Sequence, residues 1–179
     1  MRIERNASNV LSRALRLVRK AIEEGRAAMQ GIRAASPAPS SLEHAFSSFL
    51  KEVTAGRGVR LRIFVQGKPW PLSPAIQEQL FLIGREAVMN ALRHSNATNI
   101  EIELQYPHSV MRLSVRDNGC GIDGEAVQNV KDSHGGLCGM RERAENIGAR
   151  FEIWSRPGSG TEVRVAVPVA VAIAIVQSR

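Results

Sequence analysis

Apolar and polar positions recur along this chain with two periods, and the period changes at recognisable stop signals. Within residues 7–35, Leu11, Leu15, Val18, Ile22, Gly25, Met29 and Ile32 fall at alternating steps of four and three residues. That is a narrow heptad-like seam on one long helix, capped by Ser8 or Asn6, with Arg and Lys crowding the other faces. Such a seam predicts pairing with other helices, in a bundle or a dimer. SPAPSS, residues 36–41, reads as a linker. Leu42, Phe46, Phe49 and Leu50 then mark the apolar face of a shorter helix that Ser41 opens and Gly56 and Gly58 end. The period switches to two in VRLRIFV, residues 59–65, a strand. Ser73-Pro74 supplies a cap and a first-turn proline to a long helix reaching about Ser95. Residues 100–104 and 110–115 alternate as strands of a hairpin. A helix over about 137–147 leads to strands at 151–154 and 161–167, joined by a turn at 156–160. The apolar tail from Val169 either extends the last strand past Pro168 or hangs free, and it suggests no function.

Composition narrows the class. The chain has 179 residues, 44% hydrophobic and 23% charged, enough for one core and an added helix. No apolar run reaches the roughly 18 residues of a membrane span. The charged N-terminus lacks the apolar centre of a signal peptide. Two cysteines without metal-type spacing point to a reducing compartment, so a cytoplasmic location is expected. The net charge of +7 raises the question of nucleic acid. The basic residues are scattered, however, and one Tyr and two Trp make no aromatic-interleaved platform. The charge reads as a solvated basic surface, with no direct nucleic-acid or membrane contact expected.

Three segments carry candidate chemistry. On the long helix, Glu86, Asn90 and His94 lie four apart and share a face, with Arg93 beside them. Alone this stripe reads as a solvated face. Its amide and carboxylate oxygens also suit Mg²⁺, and Arg93 or His94 suits phosphate. The second segment is VRDNGCGI, residues 115–122. Asn-Gly explains a tight turn by itself. A buried Asp117 needs a donor, though, and the N6 amino group of adenine is one. Gly119 and Gly121 leave room for a flat base against backbone. The third is Gly135-Gly136-Leu137-Cys138-Gly139-Met140, where glycines precede a helix N-terminus, either as a flexible loop or as a phosphate cradle. No Gly-x4-Gly-Lys-Ser/Thr or Gly-x-Gly-x-x-Gly fingerprint occurs.

In their order and spacing these segments resemble the GHKL superfamily of ATPases, and within it the sensor histidine kinases. Residues 86–95, EAVMNALRHS, look like the family's N box. DNGCGI at 117–122 and GLCGM at 136–140 look like its two glycine boxes, and GSGT at 158–161 is similar to its last box. The form GLCGMRERA resembles the kinases whose response regulators carry LuxR-type DNA-binding domains. The resemblance runs from the first helix to about Pro168. It implies an α/β fold, a two-layer sandwich of one mixed sheet backed by helices. It implies ATP and Mg²⁺ as ligands, with Asn90 on the metal and Glu86 near the metal and the attacking group. Asp117 would hold the adenine amino group, assisted by Thr161 through water. Gly119, Gly121 and Ile122 would shape the base pocket. Gly136, Leu137, Gly139 and Met140 would border the phosphates, with Arg93 and His94 nearby. Residues 123–134 would form a short mobile lid.

One departure stands out. The family phosphorylates a histidine on the first helix of a dimerising hairpin. The four histidines here are His44, His94, His108 and His134, none of them on the seam helix. That helix resembles the second of the hairpin. The expected organisation is therefore part of a dimerisation hairpin (1–35), a linker (36–41), an ATP-binding catalytic domain (42–168) and a tail (169–179). Acceptor helix and sensor would lie upstream. Such a chain binds nucleotide without phosphorylating itself, with a minor candidacy for His44, and forms a homodimer in a full-length kinase. The alternatives are a free-standing GHKL kinase acting on Ser or Thr, and a nucleotide-binding interaction module without catalysis. Cys120 and Cys138, one in each glycine box, are expected near the nucleotide, as small-residue filler ahead of any redox role.

Overall fold

Two serines start two helices in the same way. Ser41 Oγ accepts the His44 N–H at 3.3 Å at the head of α1, Leu42–Thr54. Ser73 Oγ accepts the Ile76 N–H at 3.3 Å at the head of α2, Pro74–Asn90, with Pro74 in the first turn. The computed structural model describes residues 41–54, 58–122 and 136–174. The chain divides into Met1–Pro39 and Ser40–Arg179. The seam helix, residues 36–40 of the linker and the lid segment 123–134 lie outside the described residues.

The long helix does not run uniformly to Ser95. Past Asn90 it widens into one π-helical turn, Ala91–Ser95. The Ser95 hydroxyl enters the ladder there, donating to Ala91 O at 2.8 Å and accepting the Ala97 N–H at 3.1 Å. Asn96, at φ 53°, then turns the chain out of the helix.

The strands are β1 (Arg60–Gln66), β2 (Asn99–Gln105), β3 (Val110–Asp117), β4 (Arg150–Ser155) and β5 (Thr161–Pro168). Helix α3, Gly136–Asn146, precedes β4. The five-stranded sheet has the order β1-β2-β3-β5-β4. β1 and β2 run parallel, joined by the α2 crossover that parallel neighbours require, and the other pairs are antiparallel. The mixed sheet backed by helices is the expected fold.

Alternation sorts each strand. Ile100, Ile102, Leu104, Met111, Leu113, Val163, Val165 and Val167 are buried in the core with Phe46, Ile76, Leu80, Ile83 and Val88 of the helices. The other face is charged: Arg62, Glu101, Arg116 and Glu162 lie opposite one another across four strands. Gly84, inside α2, has a packing reason. A Cβ there would stand 2.5 Å from Phe46 Cζ.

The tail differs from both expectations. Val169–Ala174 forms a short helix, α4. Ala172 is fully buried and its carbonyl accepts the Ser73 N–H at 3.2 Å, while the Val169 N–H reaches Ser109 O at 3.0 Å. An apolar segment after a strand end gains by folding back over the α2 start, where it also satisfies a backbone donor that Ser73 would otherwise bury unpaired.

Candidate functional site

A cavity of about 430 Å³ opens between α2 with its π turn, the ends of β3 and β5, and the start of α3. Its helical wall is Ala87, Asn90, Ala91, His94 and Ser95. Two of these are alanines, so the wall recedes between its polar members. Val115 and Val163 give an apolar floor from adjacent strands, where they pair in register. Leu137 and Met140 of α3 face it across the opening. A slot with apolar walls and few polar groups suits a flat, largely apolar ring.

Asp117 lines this cavity at the end of β3 and is only 7% exposed. Its Oδ1 accepts the Gly119 N–H at 2.8 Å. Among the described residues no donor meets its second oxygen. A carboxylate held this way calls for a ligand with an N–H. Asn118 does the opposite task. Its Oδ1 accepts the N–H groups of Thr98 and Asn99 at 3.0 and 2.9 Å, and its Nδ2 donates to Thr98 Oγ1 at 2.9 Å. It pins the end of β3 to the entrance of β2.

The glycines here serve close backbone packing. A Cβ on Gly119 would run into the Ser95 carbonyl, and Gly119 is not on the cavity wall. Gly121, at φ 72°, lines the cavity and has the Arg156 carbonyl where its Cβ would sit. Gly160, at φ 80°, lies against the Asp117 carbonyl in the same way. Hydrogen bonds complete the threading: Cys120 N–H to Ser95 O and Gly158 N–H to Cys120 O, both 2.7 Å. Ile122, also on the wall, donates its N–H to Ser155 Oγ at 2.7 Å. Thr161 lines the cavity at the start of β5.

At the other end, α3 begins at Gly136, which lines the cavity and presents a helix N-terminus. A Cβ on Gly136 would collide with Glu86 Oε1 and stand 3.2 Å from Asn90 Nδ2. Glu86 is off the cavity-lining stripe, at this end, beside Asn90. At Gly136 the Glu86 carboxylate oxygen meets the nitrogen end of the Asn90 amide; a carboxylate and an amide carbonyl on successive helical turns are the hard oxygen donor types that a partly hydrated Mg²⁺ takes. Held there, the ion would supply charge neutralisation for phosphates.

Not every expected residue joins the wall. Arg93 is exposed and outside it. Gly139 is also outside it, and a Cβ there would touch nothing within 4 Å. His44 is exposed on α1. Neither cysteine lines the cavity. Cys120 Sγ lies 3.5 Å from His94 O, and Cys138 Sγ lies 3.6 Å from Glu142 Oε1. Desolvation, then the Glu142 carboxylate, pushes the Cys138 thiol up, which disfavours a reactive thiolate. Missing from the expectations were Ala87, Ala91 and Ser95, readable as Asn90's neighbours on a helical stripe, and Asn118 and Ser155. Ser155 had no local signal, since its partners lie on two separate segments, Ile122 after β3 and Gly160-Thr161 at the start of β5.

Known proteins converge on the same region. A family described as histidine kinase-, DNA gyrase B- and HSP90-like ATPase matches residues 75–171. Sensor protein VraS of Staphylococcus aureus (strain COL) is 34% identical over 131 residues, covering 67% of this chain and 37% of that protein. VraS of Staphylococcus haemolyticus is 35% identical over the same length. The chain thus spans little more than a third of these relatives. In structure it resembles the histidine kinase domain from the Erythrobacter litoralis EL346 blue-light activated histidine kinase, with a TM-score of 0.58, 20% identity and coverage of 81% of this chain and 74% of that one. It also resembles the catalytic domain of histidine kinase ThkA, with a TM-score of 0.60, 15% identity and coverage of 71% and 88%. The family match spans both ends of the cavity, from the α2 stripe to Thr161, and on that ground the chain belongs to the histidine kinase-, DNA gyrase B- and HSP90-like ATPases.

Proposed function

We propose that residues 42–168 are the ATP-binding catalytic domain of a sensor histidine kinase. The observation that carries this reading is the half-used carboxylate of Asp117 in an apolar slot whose far end gathers Asn90, Glu86 and the α3 N-terminus. Adenine enters the slot with its amino group on Asp117, and Thr161 assists. Asn90 and Glu86 would hold Mg²⁺, which would supply charge neutralisation for phosphates at the Gly136 end. Phosphoryl transfer at such a site is positioning plus charge stabilisation by fixed donors and metal. In this reading Glu86 acts near the metal and the attacking imidazole. Relatives 34% identical that are named sensor proteins support this class.

The phosphoryl group goes to a histidine of a dimerising hairpin, then to an Asp of a response regulator. The sequence form GLCGMRERA favours a regulator with a LuxR-type DNA-binding domain. The seam of residues 7–35 serves as half of the hairpin and supports a homodimer. The acceptor is a histidine outside this chain. No described helix is long and apolar enough to cross a membrane.

Titration calorimetry with ATP and ADP, with and without Mg²⁺, tests the pocket. Magnesium-enhanced ATP binding supports the reading, and absence of binding by the folded chain refutes it. Adding an acceptor hairpin that carries the family's histidine then separates kinase from binding module: acid-labile phosphate on the hairpin is expected, and none refutes catalysis.

A further inference from the structure

On the charged face of the sheet, one short side chain stands among long ones. Ser114 of β3 pairs in register with Glu103 of β2, and Phe64 of β1 lies beyond Glu103. Arg164 of β5 is its neighbour on the other side. The short serine leaves a hollow of about 280 Å³, whose rim adds Glu101, Arg116 and Glu162. The cavity proposed for nucleotide opens on the opposite face, at Val115 and Val163, and shares no lining residue with the hollow.

The charges here do not balance. Arg164 is committed: its guanidinium meets Glu162 Oε1 at 2.7 Å and stands 4.5 Å from the centre of the Trp154 ring. That leaves Arg116 for two carboxylates, and Arg116, in register with Glu101, can balance only one. Glu101 and Glu103 each accept one hydrogen bond at 3.0 Å from an amide of their own strand, Asn99 Nδ2 and Gln105 Nε2. Among the described residues neither carboxylate has an ion pair. Ser114 is only 8% exposed, yet among the described residues nothing meets its hydroxyl.

We propose that this hollow is the docking point for an arginine side chain presented by a partner protein. Three carboxylates and two guanidiniums line it, one negative charge in excess on a chain whose net charge is +7, so it is a local well for a cation. Its volume takes one long side chain and falls below the roughly 300 Å³ at which small-molecule pockets begin. Phe64 is 42% exposed. A planar guanidinium stacks on such a ring while its N–H groups reach carboxylates and a hydroxyl, and an ammonium has no plane to stack. Trp154, also exposed, lies on the same face beyond Glu162, which extends the contact area past the hollow. Exposed aromatics beside arginine are the residues that anchor protein interfaces.

The test is an amide ¹H–¹⁵N titration of the whole chain with the peptide acetyl-Gly-Ser-Arg-Ser-Gly-amide, its lysine and citrulline counterparts, and agmatine. Saturable shifts of the Phe64, Glu103 and Ser114 amides are expected with the arginine peptide, weaker binding with lysine, and none with citrulline, which keeps the shape and loses the charge. Glu101→Gln combined with Glu103→Gln is expected to weaken binding about tenfold, the scale of one charge-assisted hydrogen bond. Phe64→Leu keeps an apolar wall without the ring, and a loss of about threefold is expected. No shift at those amides, an equal response to lysine or citrulline, or unchanged affinity in either variant overturns the proposal. Agmatine binding as tightly as the peptide would assign the hollow to a small free cation and overturn the docking reading.

Discussion

Asp117 and Asn118 are adjacent, yet one side chain serves the cavity and the other the scaffold. Asp117 commits one oxygen to the Gly119 N–H and keeps the other at the wall, while Asn118 uses both ends of its amide on residues 98 and 99. Asp117→Asn can keep the bond to Gly119, so thermal melting is expected to change little. ATP affinity is expected to fall about 10- to 100-fold, the range for a lost charge-assisted hydrogen bond, as read by calorimetry. Gly136 makes a different prediction. A Cβ there meets the flexible end of Glu86, so Gly136→Ala is expected to fold normally. The displaced carboxylate would lower phosphotransfer to the hairpin by roughly tenfold or more, with a smaller effect on ATP affinity. Equal losses in both would show that Gly136 serves binding alone.

Elements set where these residues point. Helix α2 depends on its ends. Its cap, Ser73, is fully buried, and Ser73→Ala is expected to cost about 1 kcal/mol in urea unfolding. Gly84→Ala should gain helix propensity but overpack the Phe46 ring, with a net loss of about 1–3 kcal/mol. A stabilised Gly84→Ala variant would show that the ring can yield. At the other end the π turn adds backbone between Asn90 and the exit at Asn96. That lets the Ser95 carbonyl meet the Cys120 N–H at 2.7 Å while Asn90, His94 and Ser95 all stay on the cavity wall. The four-residue spacing of Glu86, Asn90 and His94 suggested one common stripe. The wall instead follows Ala87, Asn90, Ala91, His94 and Ser95, with Glu86 beside Asn90 at the phosphate end.

At the scale of the molecule, the short helix α4 closes the structure far along the sequence from the elements it meets. Its Ala172 carbonyl accepts from Ser73, and Val169 donates to Ser109. Removing residues 169–179 is expected to lower stability by about 1–3 kcal/mol through lost burial and an unpaired Ser73 N–H. Among the described residues none of α4 lines the cavity, so ATP affinity should hold; a matching loss of binding would show that α4 supports the site. The alternation of 100–104, 110–115 and 161–167, the Ser-Pro start of α2 and the Asp-x-Gly-x-Gly loop were all legible in the sequence, because period, caps and turn residues act over a few neighbours. The sequence also singled out the groups proposed to carry the chemistry: Glu86, Asn90, Asp117 and the glycines before α3. Tertiary structure alone decided that the tail is a helix, that Gly119 makes room for Ser95, and that Ser155 meets Ile122, Gly160 and Thr161 at once. Those outcomes depend on contacts between segments distant in sequence, and neither local period nor residue type specifies which distant backbone will arrive at a given side chain.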